Sequence, residues 1–213
     1  MTRILVYCPM HPGYGVRPQT LKSIFGLSWP GEVVYAFGKS DVKVEDYQDV
    51  WHKYQQARRM VLGGGFDALL TIEADMIVPE LALDRLWALD ADVAYGLYCS
   101  RRQKHPWLVF TAVETREAWH LDNESCKAFY GCAIDSAGIG LGCTLIRREV
   151  LEELDFRMQP GGPATDWWLA LDCLEKGYRQ ISDLGTVCGH MVDENTAVWP
   201  DPTQDKLFRM EVV

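Results

Sequence analysis

Short apolar runs alternate with segments of helical period along this chain, and that alternation restricts its fold more than any single motif does. "RILVYC", "EVVYAF", "FDALLTI" and "DVAYGLY" each have strand length, and "GCTLIRREVLEEL" reads as a strand running into a helix. From Tyr47 through Tyr54 and Ala57 to Val61, apolar residues recur at helical spacing, and Gly63, Gly64 and Gly65 are expected to stop that helix. Pro79 suits a first helical position with Glu80 just behind it, so a helix is expected over "PELALDRLWAL". "TDWWLALDCLEKGY" reads as a helix with Thr165 or Asp166 as N-cap and Gly177 as C-cap, followed by a proline-broken tail of little periodicity. No linker or repeat interrupts the series, which predicts an α/β fold. The 213 residues, 48% hydrophobic, suffice for one sizeable core, so residues 1–213 are expected to form a single domain.

Composition narrows the partners. A formal charge of -9 disfavours phosphate backbones and anionic membranes. The seven cysteines include no C-x-x-C pair, which reads as reduced thiols in a cytoplasmic protein, with Cys8 and Cys143 in the core. No apolar run reaches the ~18 to 20 residues that a membrane span needs.

In doubly wound sheets, ligands sit beyond the carboxyl ends of the strands. Glu73 and Asp75 fall at such an end. Two acids one residue apart on extended chain point to one side and can approach one hard cation, Mg2+ or Mn2+, with Asp75 as direct ligand and Glu73 acting through water or a ribose hydroxyl. They also read as ordinary solvated acids before a helix. The turn "AGIGLG" precedes a strand, whereas a dinucleotide fingerprint follows a strand and opens a helix, which argues against a dinucleotide site. His190 by itself reads as a core histidine, and Asp166 as a helix cap.

"YQQARRMVLGGGFDALLTIEADMIVP" resembles the donor-binding segment of GT-A glycosyltransferases, the family-2-like group above all, in which an Arg-bearing helix leads to an apolar strand and a D-x-D motif. "VAYGLYCSRR", "GIGLGCTLIRREVLEEL", "TDWWLALDCLEKGY" and "VCGHM" follow in the order of that family, so the resemblance reaches His190. It implies a GT-A, Rossmann-like αβα sandwich on a mostly parallel mixed sheet, with residues 1–99 binding the donor and 100–213 forming the acceptor side. The implied activity is metal-dependent transfer of a sugar from a nucleotide-diphosphate donor, UDP-sugar favoured, to an acceptor hydroxyl, with inversion slightly favoured over retention and with Mn2+ or Mg2+ as cofactor.

Position by position, Asp75 resembles the metal-binding second acid and His190 the histidine that completes the metal site, while Glu73 stands where the family has Asp, with Ala74 between the acids. Arg58 matches the helix Arg near the nucleotide, Arg101 and Arg102 would neutralise diphosphate, and Pro9, Met10 and His11 lie where the family places the base. The turn at Gly140, Leu141 and Gly142 would pass close to donor sugar and acceptor. Asp166 matches the general base, and Trp167 or Trp168 would face a sugar while the other packs inward, since neighbours on a helix point about 100° apart. The acceptor, a glycan, a small molecule or a modified nucleic-acid base, is expected against the aromatic segment 100–137 and the tail. Two other classes stay open: a nucleotide-sugar-binding module without turnover, and a nucleotidyltransferase, for which "CPMHPGYGVRP" lacks the glycine-rich basic loop. A viral base-modifying glycosyltransferase is a variant of the main reading.

Overall fold

The computed structural model describes residues 1–39, 47–102, 104–115, 117–138, 140–158 and 164–213. Of the stretches singled out above, Gln103, Arg116 and Ile139 lie outside the described residues. The chain begins β1 (Arg3–Pro9), α1 (Pro18–Phe25), β2 (Glu32–Gly38), α2 (Tyr47–Gly64), β3 (Ala68–Ile72), β4 (Met76–Ile77), α3 (Ala82–Ala88) and β5 (Val93–Leu97). It continues β6 (Phe110–Val113), β7 (Ala118–His120), α4 (Asn123–Phe129), β8 (Ala133–Asp135), β9 (Cys143–Arg147), α5 (Arg148–Glu153) and α6 (Thr165–Lys176). The last elements are β10 (Gln180–Val187), β11 (Gly189–Met191), β12 (Thr196–Pro200) and β13 (Phe208–Val212).

A seven-stranded sheet in the order β2-β1-β3-β9-β5-β10-β8 forms the centre. Strands β2, β1, β3, β5 and β10 run one way, and β9 and β8 run against them. Every residue of β3 and β5 is buried, which requires cover on both faces. Helix α2 packs on β1, β2 and β3 and touches α5 and α6, while α3 packs on β5, β9 and β10. The result is the expected mixed, mostly parallel α/β sheet. Among the described residues no helix is long and apolar enough to cross a membrane. All seven cysteines are free thiols, and of these only Cys132 is exposed.

Strand direction decides what reaches the site. β1, β3 and β5 deliver the loops at their carboxyl ends to one edge. Because β9 is antiparallel, with Cys143 opposite Ile72, its beginning reaches that same edge. A second sheet, β13-β12-β11-β4, stands beside it and pairs His190 with Met76, next to Asp75.

Several expectations need correction. The tail is not irregular. Strand β10 lies inside the central sheet, and β11, β12 and β13 form most of the second one. The pattern hides β10 because its buried Gln180, Ser182 and Asp183 are polar, each satisfied by a partner: Tyr95 Oη donates to Gln180 at 2.5 Å and Ser182 Oγ to Ser136 at 2.8 Å. Helix α1 is not evident in the sequence pattern. Helix α3 starts at Ala82 and not at Pro79, because Pro79 opens a turn in which its carbonyl accepts from the Ala82 amide at 2.9 Å. Helix α2 runs through Gly63 and Gly64, and Gly65, with φ 67°, ends it. Ala164 holds the N-cap position of α6, with Thr165 and Asp166 inside its first turn, and Gly177 closes the helix in the left-handed conformation.

Asp183 ties α3 to β10. Arg85 grips it with Nε at 2.9 Å and Nη2 at 3.0 Å, and the Thr186 hydroxyl (2.6 Å) and Gly185 amide (2.9 Å) also donate to it. Burial alone would raise the Asp183 pKa, but these donors outweigh it and hold the carboxyl below its usual 3.8. Asp183→Asn is expected to cost about 2 kcal/mol, less than the ~3–5 of a fully buried pair, because Arg85 is 44% exposed and can rehydrate. The folded-state pKa is depressed, so the wild-type advantage is present above about pH 4 and shrinks as pH falls through it. Urea melts of both proteins at pH 7 and pH 3 measure this; an equal gap at both pH values would refute it.

Candidate active site

Asp75 lies in the turn after β3, 4% exposed, and three side chains from separate elements converge on it. Tyr14, from the loop after β1, donates its hydroxyl to Oδ2 at 2.9 Å. Arg101, just past β5, places Nη1 2.6 Å from the same oxygen. His190, on β11, brings Nε2 to 3.6 Å from Oδ1. The other histidine nitrogen, Nδ1, faces the Cys99 carbonyl at 2.8 Å and donates to it, which aims Nε2 at Asp75; Nε2 has no partner within hydrogen-bond distance among the described residues. Burial opposes ionisation of Asp75, but His190, Arg101 and Tyr14 together hold its pKa below the usual value.

A cavity of about 300 Å³ opens against this carboxylate. Of the residues expected to hold a nucleotide, Pro9, Met10, His11, Glu73, Ala74, Asp75 and Arg101 line it. Tyr14, Asp49, Val50 and Lys53 line it as well and escape the sequence reading. Lys53 is buried, paired with Asp49 one helical turn away, and donates to the Met10 carbonyl at 2.6 Å, which fixes the loop after β1. The i, i+4 spacing of Asp49 and Lys53 was the available signal. That loop folds back on itself: His11 and Gly15 exchange backbone hydrogen bonds of 2.7 and 2.8 Å. The rings of His11 and Tyr14 stack at 3.9 Å, and Arg17 lies 4.1 Å from the tyrosine ring. A flat, electron-rich wall results.

Two of the arginines are elsewhere. Arg58 donates Nε to the carbonyls of Leu151 (2.7 Å) and Leu154 (2.9 Å), so it satisfies the end of α5 and does not reach the cavity. Arg102 is exposed and does not line the cavity either; burial raises the Asp166 pKa, and the Arg102 charge offsets only a small part of that rise.

Glu73 and Asp75 both line the cavity but do not lie on extended chain, because the chain leaves β3 at Ile72 and turns. Its carboxylate faces the Tyr54 hydroxyl at 3.4 Å, and burial, then the neighbouring Asp75, push its pKa up to about 7. The extended geometry on which paired coordination was expected is therefore absent. Tyr98, which the sequence does not single out either, stands between the acids and the glycine turn. Its hydroxyl accepts from the Gly142 amide at 3.2 Å, and its ring meets His190 edge-on at 5.6 Å. The Leu141 side chain is buried, and its carbonyl accepts from Thr71 at 2.8 Å. Beyond the turn a cleft of about 40 Å³ is lined by Gly140, Asp166, Trp167 and Phe110. Trp168 is buried, whereas Trp167 is half-buried and anchored by Nε1 to the Glu114 carbonyl at 2.8 Å. Burial raises the Asp166 pKa despite the Trp167 amide, which donates to Oδ1 at 2.9 Å.

No described protein family and no curated protein matches the sequence. Solved structures do match. The crystal structure of A197 from STIV superposes with a TM-score of 0.67 at 19% identity, over 99% of this chain and 94% of that one. S. aureus TarS 1-349 gives 0.51 at 14% identity, over 85% of this chain and 58% of that one. TarS 1-349 in complex with UDP gives 0.50 at 13%, over 85% and 57%. The fold is GT-A-like. The chain spans just over half the length of the TarS chains it matches.

Beside the acids, the glycine turn leaves no room for side chains at Gly140 and Gly142. Gly140 has φ 106°, and a Cβ there would lie 2.6 Å from the Tyr98 hydroxyl and 3.2 Å from Asp166 Oδ2. A Cβ on Gly142 would lie 2.6 Å from Tyr98 Cζ. Gly140→Ala is expected to cost ~1–3 kcal/mol in backbone strain and to displace Asp166 and Tyr98. A thermal melt and a turnover assay check this; an unchanged melting temperature with unchanged turnover would contradict it.

Proposed function

We propose that this protein is a metal-dependent glycosyltransferase that binds a nucleotide-diphosphate sugar, UDP-sugar favoured, in the cavity against Asp75 and transfers the sugar to an acceptor hydroxyl beside Asp166. The observation that carries the reading is the convergence of Asp75, Arg101 and the uncommitted Nε2 of His190 at the carboxyl edge of a GT-A-like sheet. The match to a TarS structure in complex with UDP supports the choice of donor.

The donor set fits a divalent ion in part. Two ligands bound to one ion at ~2.1 Å stand roughly 3 to 4 Å apart, and Asp75 Oδ1 and His190 Nε2 are 3.6 Å apart. Among the described residues no group of three or more His, Cys, Asp and Glu is arranged to hold a metal. Asp75 and His190 would therefore hold Mn2+ or Mg2+ together with donor phosphates and water, as such ions prefer. When bound, the ion supplies Lewis-acid stabilisation of the charge that develops on the departing diphosphate.

The protein's own groups do the rest. Arg101, half-exposed, turns from Asp75 to the diphosphate and adds positive charge where negative charge grows. Tyr14 and His11 present the flat wall for the base. Glu73, protonated over much of the range below its pKa of about 7, donates a hydrogen bond to a ribose hydroxyl. Asp166, its pKa raised by burial, accepts the proton of the acceptor hydroxyl at Oδ2 as the oxygen attacks the anomeric carbon, and attack from the face opposite the diphosphate inverts it. Residues 100–213 supply the acceptor side, with a glycan or small molecule as acceptor. The free thiols support a cytoplasmic location.

The two-ligand metal site favours one rival, a module that binds nucleotide sugar without turnover. Incubation with a panel of UDP-sugars and manganese separates them. Release of UDP supports transferase chemistry; saturable binding with no UDP released would leave only the module.

A further inference from the structure

The hairpin that carries Arg101 has a second side. It closes where the backbones of Cys99 and Trp107 pair and the Ser100 amide donates to the Pro106 carbonyl at 2.9 Å. Against it, between the turn after β7 and the residues leading into β13, lies a cavity of about 630 Å³, larger than the one at Asp75. Lys104, His105, His120 and Lys206 line it, along with the apolar bodies of Trp107 and Phe208. No carboxylate is among the described residues that line it, in a chain whose formal charge is -9.

Two further features single this cavity out. Four described residues other than glycine have positive φ, and three of them line it: Lys104 at 75°, His105 at 43° and Leu207 at 63°. Each left-handed side chain costs roughly 1–2 kcal/mol, so the loops are held in these conformations against a local penalty. The histidines are also oriented. His105 Nδ1 faces the Ser100 carbonyl at 2.9 Å and His120 Nδ1 the Trp107 carbonyl at 3.1 Å, so both donate there and each leaves Nε2 for another partner. Trp107 is locked by Nε1, which donates to the Leu207 carbonyl at 2.6 Å, and His105 stands edge-on to Phe208 at 4.8 Å.

We propose that this cavity is a second ligand site, for a ring-shaped molecule carrying one phosphate or carboxylate group. The ring lies among Trp107, Leu207 and Phe208, and the anionic group meets the ammonium groups of Lys104 and Lys206. The volume suits such a ligand, since small-molecule sites span about 300–1,000 Å³. Ammonium groups serve as point charges for phosphate or carboxylate. The assignment uses neither Asp75 nor Asp166 and does not rest on the transferase reading.

The test is calorimetric titration of the full chain with phenyl phosphate, benzoate, phenol and inorganic phosphate, with and without saturating UDP. Phenyl phosphate or benzoate is expected to bind about tenfold or more tighter than phenol, the tighter of the two naming the anionic group, and inorganic phosphate is expected to bind more weakly than phenyl phosphate. The double variant Lys104→Gln/Lys206→Gln changes two exposed side chains; it should lose about tenfold or more in affinity for that ligand and keep its affinity for UDP. Phenol binding as tightly as the anions, an unchanged affinity in the double variant, displacement by UDP, or no binding of either aromatic anion would each overturn the proposal.

Discussion

Asp75→Asn is expected to lower sugar transfer by about 10³-fold or more, and excess EDTA to do the same to the wild type. The size follows from the several kcal/mol that a Lewis-acidic ion contributes, each ~1.4 kcal/mol being a factor of ten. The substitution is conservative for the fold. Asparagine keeps an oxygen for the Tyr14 hydroxyl, and the pairing it removes is with a side chain that is 50% exposed, so little stability is at stake. Thermal melts with and without manganese and UDP provide the control, because a ligand that binds only the native state raises the midpoint. The wild type should show that rise and the variant should lose most of it. Turnover that persists in EDTA would remove the metal from the mechanism while leaving Asp166 and the donor cavity to be judged separately.

Asp166→Asn is expected to reduce kcat by ~10² to 10⁴-fold, the range of general base catalysis, with donor affinity nearly unchanged. Asparagine retains the oxygen that accepts from the Trp167 amide, and Asp166 is not the N-cap of α6, so the helix start is undisturbed. Burial already disfavours the charge at this position, so removing it does not destabilise the fold through lost ionisation. A loss below about tenfold would amount to only ~1.4 kcal/mol and would leave Asp166 a positioning residue. The stereochemistry of the product is an independent measurement: retention at the anomeric centre, read by NMR, would reject the base role even in a dead variant.

What the sequence made legible follows the physics of burial. Strands β1, β3, β5 and β9 are continuous apolar runs because helices cover both of their faces, and such runs stand out in any pattern. Strand β10 is equally central but spends buried positions on Gln180, Ser182 and Asp183, whose partners include Tyr95, Ser136 and Arg85, 46 to 98 residues away in the chain, and no local pattern can report those distant partners. Asp75 was conspicuous as an acid directly after an apolar run. Tyr14, Lys53 and Tyr98 were not, since each matters through what the loops bring near it. Arg58 shows the converse: a helical arginine meets whichever carbonyls the neighbouring element leaves open, and here those belong to the end of α5.

The antiparallel β9 also governs how this chain can be assembled. β3 and β5 have no contact through hydrogen bonds except by way of β9, so residues 1–99 alone would hold the three strands β2-β1-β3 and a lone β5, with the strand between them missing. During synthesis β3 waits with an unpaired edge until residues 143–147 emerge, and closing that gap demands loops of roughly seventy residues. Such non-local closure is slow. Residues 1–99 and 100–213 therefore become ordered in one event, and a fragment cut between them exposes the kind of edge that pairs with other chains.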